Sequence, residues 1–85
     1  MSHWFVYIVR CSDQSLYTGI ATDVAARIKR HNSGDGAKYT RSRLPVVLVR
    51  TEPVASESAA RKREAQIKRW SHIKKESLVK YGDLE

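Results

Sequence analysis

Five residues of this chain combine into a set able to act on a phosphate: Tyr7, Tyr17, Arg27, His31 and Glu64. Arg27 and His31 are four apart, so on a helix they stand side by side. A guanidinium there can grip a phosphate through two parallel hydrogen bonds. An imidazole beside it suits a phosphate contact or a proton carrier. His31 has no second His or Cys at ligand spacing on its segment, which makes it a weak metal ligand. Taken singly, either residue is more often part of a solvated helix face. Glu64 falls at the margin of an apolar stripe made by Ala59, Ala60, Ile67 and Trp70. From a margin, a carboxylate can face a cleft and hold a hard cation through oxygen. The ordinary competing use is an ion pair with Lys68, four residues on. Arg63 lies nearer the middle of the stripe, so it must be paired or spread its stem over apolar surface.

The two tyrosines matter as a pair only if they share a face. Trp4 to Val9 is a continuous aromatic and β-branched run, the pattern of a central strand buried on both sides. Ser12-Asp13-Gln14-Ser15 signals a turn, and Leu16 to Ile20 reads as the returning strand. A three-residue loop, Ser12 to Gln14, pairs Cys11 with Ser15 and Val9 with Tyr17, which puts Tyr17 on the face of Tyr7. A two-residue loop would put it on the opposite face. Gly19 ends this strand with no side chain, as a bend or as a point of close approach for backbone or ligand.

Further along, Asp23 suits an N-cap for a helix from about Val24 to Asn32, closed by Ser33-Gly34. Ser33 to Leu44, with two glycines and three basic residues, reads as a loop. Pro45 to Arg50 reads as a third strand that Pro53 terminates. Ser56 or Ser58 caps a second helix running to about Trp70, and Ser71 a third reaching Lys80 and stopping near Gly82. The expected architecture is α+β, one domain over 1–85. It has a three-stranded, mainly antiparallel sheet flanked by helices, in the order β-β-α-β-α-α.

Charge narrows the partners. Sixteen Lys and Arg against nine Asp and Glu leave +7 on 85 residues. So small a surface then attracts phosphate polyanions in a salt-sensitive way. No amphipathic helix offers an exposed aromatic face to a lipid surface, and no apolar stretch is long enough to cross a bilayer. The N-terminal apolar run reads as a strand rather than a secretion signal. The lone Cys11 excludes an intramolecular disulfide. The expectation is a monomer in the reducing cytoplasm, bound to DNA or RNA and not to membrane.

In this order and on these elements, the residues resemble the GIY-YIG endonuclease superfamily, specifically its small stand-alone, UPF0213-like branch. Val6-Tyr7-Ile8 matches the first motif with Val in place of Gly, and Tyr17-Thr18-Gly19 the second with Thr in place of Ile. Arg27, His31, Ala37-Lys38-Tyr39-Thr40 and Glu64 follow in sequence, so the likeness covers Trp4 to about Leu78. Each tripeptide is weakly specific; the ordered set is strongly so. The resemblance implies metal-dependent endonucleolytic hydrolysis of phosphodiesters with low sequence specificity, as in DNA repair or processing. Carried over by residue, Glu64 would hold one divalent ion, Mg²⁺ or Mn²⁺. Tyr7 would help deprotonate water, Tyr17 would orient water or phosphate, and Arg27 would stabilise the transition state. Because tyrosine has a reference pKa of roughly 10, Tyr7 needs activation, either by Arg27 and the cation or by passing its proton to His31. Gly19, Lys38, Tyr39, Arg41 and Arg43 would contact the nucleic acid, the tyrosine by stacking and the cations through phosphates. The chain departs from the family in lacking an Asn downstream of Glu64 and in carrying Gln14 in the hairpin turn.

Two other readings compete: a non-catalytic, basic nucleic-acid-binding module with the same fold, and a scaffold whose basic face binds an acidic protein. Neither requires a carboxylate facing a polyanion, which is what sets Glu64 apart.

Overall fold

The computed structural model describes residues 3–82. Strands β1 (Trp4–Arg10), β2 (Leu16–Ala21) and β3 (Val47–Val54) form one sheet in the order β2-β1-β3, antiparallel throughout. The continuous apolar run is therefore the central strand, and Val6, Tyr7, Ile8 and Val9 are all buried. Helices α1 (Val24–Asn32), α3 (Glu57–Lys68) and α4 (His72–Tyr81) begin at caps visible in the sequence. The side chains of Asp23, Ser56 and Ser71 accept hydrogen bonds from the N–H groups of Ala26, Ala59 and Lys74.

Alternation along β1 divides the core in two. Tyr7, Val9 and Cys11 point to one face, where Val24 and Ile28 of α1 cover them together with Leu44 and Val46. Val6 and Ile8 point to the other, against Ala60 and Ile67 of α3 and Leu78 of α4. A two-toothed ion pair from Arg10 to Glu76, with both N–O distances 2.7 Å, fastens α4 to the end of the central strand.

Two expectations need correction. Within the segment read as a loop, Lys38–Arg41 forms one helical turn, α2, whose Thr40 is fully buried. A single turn surrounded by glycines and cations carries no apolar periodicity, so only burial of Thr40 reveals it. The third strand starts at Val47 rather than Pro45 and runs through Pro53, which pairs with Phe5. Because β3 lies at the sheet edge, half of its backbone groups need no strand partner, and a proline is tolerated there. Val46, left outside the strand, is held instead by the Asn32 side chain, which receives its N–H at 2.7 Å and donates to its carbonyl at 3.0 Å.

Candidate functional site

The hairpin takes the three-residue loop. Cys11 N–H donates to the Ser15 carbonyl at 2.8 Å, and Val9 lies opposite Tyr17. Gln14 adopts φ 73°, a left-handed conformation at the position where such loops favour glycine. The Asp13 carboxylate secures the turn by accepting from the Ser15 N–H at 3.0 Å. Tyr7 and Tyr17 therefore project from the same face. Gly19 pairs with Tyr7 across the ladder, and the Tyr7 ring lies over it so closely that a Cβ there would meet the hydroxyl at 2.5 Å. Close approach is thus the reason for this glycine.

Beneath that ring a buried polar chain begins. The Tyr7 hydroxyl lies 2.8 Å from His31 Nε2, and His31 Nδ1 lies 2.8 Å from Thr40 Oγ1. Thr40 has one proton to give, and Oγ1 donates it to the Ala37 carbonyl at 3.0 Å. Oγ1 must then accept from Nδ1–H, which leaves the Nε2 lone pair to accept from the tyrosine hydroxyl. The Ala37 N–H also points at Nδ1, but from 3.5 Å, too far to reverse this assignment. Among the described residues no buried side-chain polar atom lacks a partner.

Burial fixes the protonation of both rings. Tyr7 is 1% exposed and its pKa is pushed up to about 12, by burial first and by neighbouring Tyr17 second. The charge and hydrogen bond of Arg27 pull it down, and Glu64 adds a small upward push. The activation expected from Arg27 is therefore outweighed, and Tyr7 stays a phenol. His31, 2% exposed, is held below the usual histidine range by burial, then by the positive charges of Arg27 and Arg30. It is a neutral acceptor. With both nitrogens engaged inside the protein, it is placed as a proton carrier and not as a phosphate contact.

Arg27 comes from α1 and Glu64 from α3, which pack on opposite faces of the sheet. They can meet only beyond an edge, and they do so past β2. There an open cleft of about 240 Å³ is bounded by Tyr7, Tyr17, Gly19, Arg27, Arg61 and Glu64. A neighbouring cleft of about 250 Å³ contains Tyr7, Tyr17, Arg27, His31 and Gly36. The five residues singled out for chemistry are thus brought together. Glu64 keeps about a fifth of its side chain exposed, and one of its oxygens is 3.3 Å from Lys68 Nζ. Arg63, the cation nearer the middle of the stripe, is paired with Glu52 at 2.8 Å and does not enter the cleft.

The flanking basic residues divide. Lys38 and Arg41 are exposed on α2, as phosphate contacts require. Arg43 is committed internally: it bonds Asp13 at 3.0 Å and the Tyr39 carbonyl at 2.8 Å, and its guanidinium lies 4.0 Å over the Tyr39 ring. Sequence reasoning missed Arg61 in the cleft, Thr40 behind His31, and Gly36, where a Cβ would collide with the imidazole. The Gly34-Asp35-Gly36 run is the one sequence feature hinting at such an approach.

For a divalent ion the fit is narrow but adequate. Among the described residues no group of three or more His, Cys, Asp or Glu could surround one. A single carboxylate in an open cleft suits a hard ion that keeps several waters and takes further oxygens from a phosphate, as Mg²⁺ does.

Over residues 3–77 the chain matches the family described as the GIY-YIG catalytic domain. It is 54% identical over 78 residues to a UPF0213 protein of Haloquadratum walsbyi, covering 92% of this chain and 88% of that one. A UPF0213 protein of Staphylococcus aureus is 55% identical over 80 residues, covering 94% and 98%. Among solved structures, the fold is similar to the solution structure of a UPF0213 protein from Bacillus halodurans. That pair is 51% identical with TM-score 0.59, covering 94% of this chain and 84% of the other. A protein from E. faecalis gives TM-score 0.61 at 41% identity over the same shares. No helix among the described residues is long and apolar enough to cross a membrane.

Proposed function

The chain belongs to the GIY-YIG family, a nuclease family, and from that premise we propose that it hydrolyses nucleic-acid phosphodiesters with one divalent ion held by Glu64. The observation that carries this reading is the hydrogen-bonded series Tyr7–His31–Thr40, in which Tyr7 borders a cleft lined by a guanidinium and a carboxylate and a neutral imidazole stands behind it. A protein that only binds nucleic acid has no need of a carboxylate facing the polyanion, and Glu64 lines this cleft.

The ion supplies charge neutralisation at the phosphate when bound. The chain's own side chains do the rest. Arg27, on the wall of the cleft, neutralises charge that grows on the non-bridging oxygens during attack. Without an ion, burial pushes the Tyr7 pKa up to about 12, which disfavours tyrosinate at neutral pH. Tyr7 relays instead: as a water attacks phosphorus, its proton passes to the Tyr7 oxygen, and the phenol's own proton passes to His31 Nε2. Thr40 holds the imidazole in the tautomer that makes this direction available. The new P–O bond forms as the bond to the leaving sugar oxygen breaks, and that oxygen takes a proton from solvent. Tyr17, less buried and bordering both clefts, orients the water or phosphate.

One observation favours a second reading. The Lys68 ammonium beside Glu64 neutralises the carboxylate, as a nucleic-acid binder with no metal would require. Cleavage of labelled single-stranded, duplex and branched DNA and of RNA, with Mg²⁺ or Mn²⁺ against EDTA, separates the two. The expected outcome is metal-dependent cutting lost in Glu64→Gln and in Tyr7→Phe. Binding without cutting, in wild type as in both variants, would leave the binder.

A further inference from the structure

Tyr17 also borders a third cleft, of about 350 Å³, shared with Leu16, Thr18, Tyr39, Lys68 and Lys75. Its chemistry differs from that of the other two, with two aromatic rings, two ammonium groups and no carboxylate. The Tyr17 and Tyr39 rings are nearly parallel, their centroids 5.9 Å apart and their planes 21° from each other. Lys68 Nζ stands 5.4 Å from the centre of the Tyr17 ring. Tyr39 is 39% exposed, yet it is anchored through Arg43, which stacks on its ring, bonds its carbonyl and reaches the hairpin turn at Asp13. An exposed ring held this firmly has lost its side-chain entropy before any ligand arrives.

A part-exposed aromatic ring beside two cations and no acid complements a planar, anionic ligand, and a nucleotide is both. In a duplex both faces of each base are covered by its neighbours, so only an unpaired base can lie on a protein ring. Lys68 borders two sites at once, since its ammonium touches Glu64 on one side and overhangs Tyr17 on the other. We propose that this third cleft is a nucleotide subsite that takes an unpaired nucleotide adjacent to the scissile phosphate. Its base lies against Tyr39 and its phosphate contacts Lys68 and Lys75. The position relative to the scissile bond rests on the reaction proposed above; the binding of an unpaired nucleotide does not.

The test is a titration of the full chain against a single-stranded oligonucleotide carrying 2-aminopurine, and against the same strand annealed into a blunt duplex. EDTA is present throughout, so that binding alone is read. Tyr39→Leu keeps apolar bulk and removes the stacking plane. It is expected to weaken single-strand binding about tenfold, the scale of one lost base–aromatic stack, while duplex binding stays within about twofold. Lys75→Gln, a surface change on α4, is expected to lower the slope of log affinity against log salt by about 0.7 on the single strand. Equal weakening on both forms, or none, together with an unchanged salt slope, overturns the subsite and makes Tyr39 a cover for Tyr17. Because no cleavage is measured, the subsite can stand in a protein that fails to cut. Conversely, metal-dependent cutting that Tyr39→Leu leaves alone on every substrate keeps the nuclease and removes the subsite.

Discussion

Gly19→Ala tests the packing beneath the candidate site most directly. A Cβ at position 19 would lie 2.5 Å from the Tyr7 hydroxyl oxygen, 2.6 Å from Cζ and 2.9 Å from Cε2. The ring cannot retreat cheaply, because it is 1% exposed and its hydroxyl is bonded to His31 at 2.8 Å. Overpacking of this kind costs about 1–3 kcal/mol. If the ring tilts to relieve it, a buried hydroxyl and an imidazole nitrogen lose each other, a further cost of about 1–3 kcal/mol. Against this, alanine is better than glycine inside a strand by roughly 0.5–1 kcal/mol. The steric terms win, leaving a net destabilisation on the order of 2–4 kcal/mol. In a domain of this size that lowers the thermal midpoint by roughly 10–25 °C. Urea unfolding followed by circular dichroism measures it, and Tyr7→Phe/Gly19→Ala completes the cycle. Removing the hydroxyl relieves the nearest contact but leaves Cζ in place, so the double variant should recover part of the loss. A Gly19→Ala protein as stable as wild type would refute the close approach, and with it the placement of Tyr7 against β2.

Other consequences are open to measurement. The depressed pKa of His31 means that the unfolded chain, with an ordinary histidine near 6.5, binds a proton that the folded one refuses. Its contribution to stability is present above pH 6.5 and is lost as pH falls toward the folded value, which urea midpoints from pH 8 to 5 should show. For the same reason the acid limb of any cleavage reaction should lie below pH 6.5; a limb above it would contradict relay to a neutral His31. Tyr7 behaves in the opposite sense. With its pKa raised from 10 to about 12, its stabilisation is complete below pH 10 and disappears as pH rises through 12, visible as a single tyrosine's share of the phenolate absorbance appearing only with unfolding. Asn32→Ala removes both bonds to the Val46 backbone and should cost about 2 kcal/mol, read as a lower urea midpoint with unchanged slope. Glu64→Gln should bind single-stranded DNA in EDTA at least as tightly as wild type, since it frees Lys68 from its partner; tenfold weaker binding would mean that the carboxylate positions the cation for the ligand.

Much of this was legible in the residues because the physics involved is local. The apolar run at Trp4–Val9 marked the central strand, Asp23, Ser56 and Ser71 announced their helices through capping, and the Asp13 turn allowed the loop that aligns Tyr17 with Tyr7. Local rules also misled. A proline suggested the end of a strand that continues along a sheet edge, and two glycines hid the turn that carries Thr40. Spacing put Arg27 beside His31 and Glu64 at a margin, but it could not say that one would be a wall and another a buried acceptor.

Those assignments come from tertiary structure, because they depend on what surrounds a group and not on its neighbours in sequence. Burial outweighs Arg27 and keeps Tyr7 a phenol, and Thr40, nine residues from His31 in the chain, sets the tautomer. Two helices on opposite faces meet across one sheet edge to assemble the cleft. The sequence by itself determined the elements, the positive charge and the family's ordered residues. Only the packed fold decided which of those residues face one another, because desolvation, proton position and contact across a sheet edge are properties of three-dimensional neighbours.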